Sequence, residues 1–128
     1  MAEEKSMIKI LLVDDQLSLK GLHMRIALES DLLVVGETSN SPAVIQLIEE
    51  SSPDVVIMDL DMAGMEGIHT IQALRAKGNT TPVIILSFDP DLNDHDRPYT
   101  GEAIKYIEKL ASVTELLSAI HQAGDPSK

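Results

Sequence analysis

The chain has 128 residues, no cysteine and a formal charge of −11 from 21 acidic and 10 basic side chains. That length predicts one core, and the composition excludes a disulfide scaffold, a thiolate metal site and a cysteine nucleophile. The acidic field repels phosphate backbones and anionic membrane surfaces, so neither nucleic acid nor a membrane is an expected direct partner. Hydrophobic residues reach 44%, too many for a disordered acidic tail. The apolar runs are far shorter than the roughly 20 residues that span a bilayer. The opening MAEEKSM has acids and no apolar run, unlike a signal peptide.

Short apolar runs alternate with helical stretches. Ile8 to Val13 (IKILLV) predicts a strand ending at Asp14-Asp15. Ser18 to Glu29 predicts a helix with Ser18 as N-cap and Leu19, Leu22, Ile26 and Leu28 mostly on one face. Leu32 to Val35 predicts a second strand, stopped by Gly36. Ser41-Pro42 is a cap followed by proline at the first helical position, and the helix continues through Val44, Ile45, Leu47 and Ile48 to Ser51-Ser52-Pro53.

Val55 to Met58 (VVIM) predicts a third strand, closed by Asp59. Four consecutive apolar residues suit a strand covered on both faces, as in a parallel sheet. Met62 to Gly67 reads as a loop, Ile68 to Ala76 as a helix, and Gly78 as its stop. Val83 to Leu86 (VIIL) is the fourth strand and ends at Ser87; Ala103 to Ile107 is a weaker fifth. Ser112-Val-Thr-Glu115 forms a capping box for a last helix through Leu116, Leu117, Ile120 and Ala123. Residues 1–124 read as one domain, and 125–128 as the start of a linker or an artificial end; the composition of Gly124 to Lys128 suits a linker.

Strands alternating with helices predict a parallel sheet covered on both faces, wound with right-handed crossovers. Ligands of such open sheets bind beyond the carboxyl ends of the strands. The first strand delivers Asp14 and Asp15 there, the third Asp59 with Asp61 two residues on, the fourth Ser87, and the fifth Lys109. Three carboxylates at one site repel one another unless a cation neutralises them, and hard oxygen donors suit Mg²⁺. A carboxylate is also a nucleophile that forms an aspartyl-phosphate. Lys109 supplies a flexible point charge and Ser87 a hydrogen-bond donor to balance the charge of a transferring phosphoryl group.

The matching pieces are VDD at 13–15, MDLDMAGMEG at 58–67, ILS at 85–87 and KYIEK at 105–109. In this order, each at a strand end, they resemble the receiver domain of two-component response regulators over residues 8–123. The first two-thirds look most like receivers that precede a helix-turn-helix output domain. The resemblance implies a flavodoxin-like doubly wound sheet of five parallel strands in the order 2-1-3-4-5, helices on both faces, the fourth helix short or irregular. It implies Asp59 as phosphoacceptor, Asp14, Asp15 and Asp59 with the backbone carbonyl of Asp61 as the Mg²⁺ site, Ser87 and Lys109 around the phosphoryl group, and Ser87 with Tyr106 as the switch pair. The implied function is a phosphorylation-activated switch, a cytoplasmic phosphoprotein of a phosphorelay that controls transcription. Its donor would be a sensor histidine kinase; a homodimer stays open, and DNA would be reached only through an output domain absent from this chain. Such a domain catalyses only its own phosphorylation and dephosphorylation.

The chain departs from the family pattern at three places. Ala63 and Leu110 stand where prolines are common, and Phe88 follows Ser87 where a small residue is usual, beside the site and able to restrict access to it. The residues before Lys109 also differ. Asp89 to Pro98 hold two prolines and many aspartates, which favour caps and turns, so 91–101 are expected to carry at most one or two mobile helical turns.

Plainer readings stand beside these. Asp14-Asp15 alone could be a solvated strand end. Asp59-Leu-Asp61 also resembles the nucleophile strand of haloacid-dehalogenase-type phosphatases, although it lies mid-chain here. Asp89 to Asp96 have some Ca²⁺-loop character but lack the glycine and the final glutamate. The four histidines have no ligand spacing and read as surface or structural. A receiver-like interaction module with impaired phosphorylation is the second functional reading.

Overall fold

The computed structural model describes residues 7–13, 20–38, 41–59, 69–87, 104–108 and 113–124, with Lys20, Gly21, Leu22, Ser41, Pro42, Asp59, Ser87, Ile104, Lys105, Tyr106, Glu108 and Val113 as backbone positions only. Five strands form one parallel sheet: β1 (Ile8–Val13), β2 (Leu32–Thr38), β3 (Val55–Asp59), β4 (Val83–Ser87) and β5 (Ile104–Glu108). Their spatial order is β2-β1-β3-β4-β5, as expected. Four helices are described: α1 (Lys20–Ala27), α2 (Ser41–Ser51), α3 (residues 69–76) and α4 (Val113–Gly124).

The sheet is sandwiched between two apolar layers. On one face Ile10, Leu12, Ile57, Ile84 and Leu86 pack with Ile26 of α1 and with Leu116, Ala119 and Ile120 of α4. On the other, Leu11, Val13, Val56, Met58 and Ile85 pack with Val44 and Ile48 of α2 and Ile71 and Leu74 of α3. Ile10 to Val13 and Val55 to Met58 are almost wholly buried. This is why these two four-residue runs are apolar throughout: each residue meets a helical layer on one side or the other.

The helix ends follow from local chemistry. Ser51 Oγ donates to the carbonyl of Leu47 at 2.7 Å, and the Ser52 amide donates to the carbonyl of Ile48 at 2.8 Å. Ser52 takes φ 47°, a left-handed conformation, and the buried Pro53 follows. Past α3, the Gly78 amide reaches Arg75 at 3.0 Å and the Asn79 amide reaches Leu74 at 3.0 Å. With Gly78 at φ 86°, this is the Schellman pattern, and Gly78 stops the helix as expected.

Three expectations are corrected. Gly36 does not stop β2, which runs on to Thr38. The register slips there: Ile10 pairs with Val34 but Leu11 pairs with Gly36, leaving Val35 as the extra residue of a bulge. A Cβ on Gly36 would lie 3.1 Å from Leu11 Cδ1, so the glycine permits close approach of β2 to β1. Leu28 is not on the buried face of the first helix; it lies in the turn after α1 and is exposed. Gly124 is not linker but the last residue of α4, packed against β1.

The histidines that are described in a tie are structural, as expected. His23 of α1 pairs with Glu37 of β2. His121 of α4 lies 2.8 Å from the carbonyl of Leu117 and 2.8 Å from Asp31 Oδ2. Lys77 joins Glu49 at 2.8 Å, linking the end of α3 to α2. No helix among the described residues is long and apolar enough to cross a membrane.

Candidate functional site at the carboxyl edge of the sheet

All five strands are parallel, so their carboxyl ends share one edge. Adjacent parallel strands run about 4.8 Å apart, so residues at the strand ends are near neighbours in backbone position. The last rung of β1 against β3 pairs Val13 with Met58. Asp59 is the next residue of β3 and pairs with Leu86 of β4. Ser87 then closes β4, opposite Glu108 of β5.

This register carries chemistry to the edge because each strand is anchored below by buried residues. Val13 and Met58 are 0% and 1% exposed, and Leu86 is 3% exposed, so the rung beneath the edge cannot slide without exposing core. Asp14-Asp15 follow Val13 in the chain, and Lys109 follows Glu108. The chain leaves β1 for β2 on one side and returns to β3 on the other, so the reversal of strand order falls between β1 and β3. That is where ligands of open α/β sheets bind, and it is the junction that Asp59 borders. Tyr106 lies on β5, on the rung it shares with Ile85.

The backbone therefore gathers Asp59, Ser87 and the end of β5 on the edge at which β1 also ends. Asp14, Asp15, Asp61, Ala63, Phe88, Lys109, Leu110 and Ser112, the aspartate-rich run 89–96 and the expected short helix at 91–101 lie outside the described residues. Among the described residues no cluster of three His, Cys, Asp or Glu side chains is gathered.

The sheet order is that of a flavodoxin-like fold, and comparison with known proteins puts the chain in the class of two-component signalling proteins. It belongs to the response regulator receiver domain family, whose family model matches residues 10–121. It is 36% identical over 116 residues to the nitrate/nitrite response regulator protein NarL of Escherichia coli K12, covering 90% of this chain and 54% of that protein. It is 35% identical over 127 residues to the transcriptional regulatory protein LiaR of Bacillus subtilis, covering 94% of this chain and 58% of that one. The chain thus spans about half the length of the curated relatives it matches. Among solved structures, the receiver domain of the response regulator NarL from Mycobacterium tuberculosis aligns with a TM-score of 0.80 at 25% identity, covering 94% of this chain and 98% of that chain. Family membership sets aside the phosphatase alternative, and the flavodoxin-like expectation stands.

Proposed function

We propose that residues 1–124 are a receiver domain that takes a phosphoryl group on Asp59 from a sensor histidine kinase. The observation that carries this reading is the register that brings the ends of β1, β3, β4 and β5 to one edge, with Asp59 and Ser87 closing adjacent strands. A carboxylate oxygen of Asp59 attacks the phosphorus of the donor phosphohistidine. The new O–P bond forms as the N–P bond breaks, and the leaving imidazole takes up a proton. Ser87 and Lys109 hold the phosphoryl oxygens, Lys109 as a cation and Ser87 as a donor.

Asp14, Asp15, Asp59 and the carbonyl of Asp61 would hold Mg²⁺, which supplies charge balance for the phosphoryl oxygens when bound. Phosphorylation adds charge at the edge and shifts a pre-existing equilibrium between two conformations, with Ser87 and Tyr106 as the switch pair. Phe88, next to Ser87, restricts access of donor and water. The chain catalyses only its own phosphorylation and dephosphorylation. In the whole protein, which works in the cytoplasm, the switch controls a DNA-binding output domain beyond residue 128 and hence transcription; the length and name of LiaR support this. A homodimer is compatible with the same reading.

The test is intact-mass spectrometry after incubation with acetyl phosphate and Mg²⁺. One added phosphoryl group, lost in Asp59→Asn, supports the reading. No addition to the wild-type chain favours the interaction module with impaired phosphorylation instead.

A further inference from the structure

The large apolar side chains exposed among the described residues are Met7, Met24, Leu28 and Leu33, at 39%, 64%, 78% and 44%. A lone exposed leucine needs no account, but several gathered at one place mark a contact surface. Met24 and Leu28 are four residues apart, one turn along α1 and into the turn behind it. That turn is tied to the start of β1: the Ile8 amide donates to the carbonyl of Asp31 at 2.9 Å. Met7 directly precedes Ile8, so it stands beside the same turn.

The last helix ends at this place. His121 of α4 contacts Asp31 at 2.8 Å, and the α-carbon of Gly124 is so close to Ile8 that a Cβ there would lie 2.6 Å from its Cγ2. α4 therefore ends beside Ile8, next to Met7 and the turn that holds Leu28, at the sheet edge opposite Asp59. The relatives NarL and LiaR are well over half as long again as this chain, which covers 54% and 58% of them.

We propose that Met7, Met24 and Leu28 form the seat of the segment that follows α4 in the natural protein. This rests on the reading above that an output domain follows the receiver. The segment would lay an apolar face on α1 and on the start of β1. The contact would fix the output domain at the edge remote from the phosphoryl site, so that switching reaches it through the sheet and α4 and not by direct touch.

Native methionines serve as probes. Dilute hydrogen peroxide converts exposed methionine to sulfoxide, and peptide mass spectrometry gives the rate at each position. Met24 and Met7 should oxidise roughly fivefold or more slowly in the natural full-length protein than in the 128-residue chain, the factor being set by how far the docked state outweighs the open one. Leu28→Asp in the full-length protein should restore the fast rate at Met24, and Leu28 is exposed enough for that variant to fold. Equal rates in the two proteins would overturn the proposal while leaving the output-domain reading intact. Protection that appears in the 128-residue chain as its concentration rises would overturn it in favour of a second copy. A natural protein with no domain after the receiver would defeat both readings at once.

Discussion

Gly124 and Ile8 are in contact so close that no side chain fits between them: a Cβ on Gly124 would fall 2.6 Å from Ile8 Cγ2 and 3.4 Å from Cδ1. The last turn of α4 thus rests on the first residue of β1. Cγ2 branches from the Ile8 stem, so a shift of a flexible tip does not relieve the clash. Gly124→Ala should destabilise the domain by about 1–2 kcal/mol, since overpacking outweighs the helix-propensity gain of up to ~1 kcal/mol. Urea denaturation measures it. In an Ile8→Ala background the same substitution should cost much less, and equal costs in both backgrounds would exclude the contact as the cause.

The two left-handed helix ends should respond with opposite signs. Ser52 holds φ 47° with a side chain, whereas Gly78 holds φ 86° without one. Ser52→Gly should stabilise the fold by roughly 0.5–1 kcal/mol, because glycine takes this conformation without steric cost. Gly78→Ala should destabilise it by about 1 kcal/mol; the added Cβ meets nothing within 4 Å, so the cost is backbone strain alone. Thermal denaturation of both variants checks the signs.

Those glycines also explain what could be read in advance. Gly78 follows a helical period and can only end it, so its role was legible. Gly36 follows the apolar run Leu32 to Val35 and looks the same as a stop, yet it sits inside β2 at a bulge. A single sequence does not separate the two cases, because the deciding contact is with Leu11, 25 positions away. Leu28 departs from the expectation for a local reason: it comes two residues after the buried Ile26, just over half a turn on and so on the opposite face. At the site, the residue types were legible because each follows an apolar strand in the chain. Their shared edge follows from the parallel alternation of strands and helices, whose carboxyl ends all fall on one side; the order of neighbours along that edge rests on the family resemblance alone, since no local period encodes it.

The proposed metal site makes a sharp prediction about charge. Asp15→Asn removes a charged ligand, and Asp59→Asn removes the nucleophile. Neither variant should gain a phosphoryl group from acetyl phosphate. Chelating Mg²⁺ from the wild-type chain should slow phosphorylation by roughly 100-fold or more, because balancing the phosphoryl oxygens is worth several kcal/mol. Intact-mass time courses read all three; a wild-type rate in Asp15→Asn would refute the ligand assignment.

Phe88 follows Ser87, which closes β4 on the rung after the Asp59–Leu86 pair. On the proposed reading, its aromatic ring would restrict the path of both the phosphodonor and the hydrolytic water. Removing it should therefore speed both directions, without altering the chemistry at Asp59. Phe88→Ala should raise the rate of phosphorylation by acetyl phosphate and the rate of phosphoryl loss by roughly fivefold each, equivalent to about 1 kcal/mol of barrier. A small donor such as acetyl phosphate isolates access from kinase docking. Mass-spectrometric time courses in both directions give the two rates. Acceleration of phosphorylation alone would assign Phe88 to donor binding, and unchanged rates in both directions would show that its ring does not cover the site.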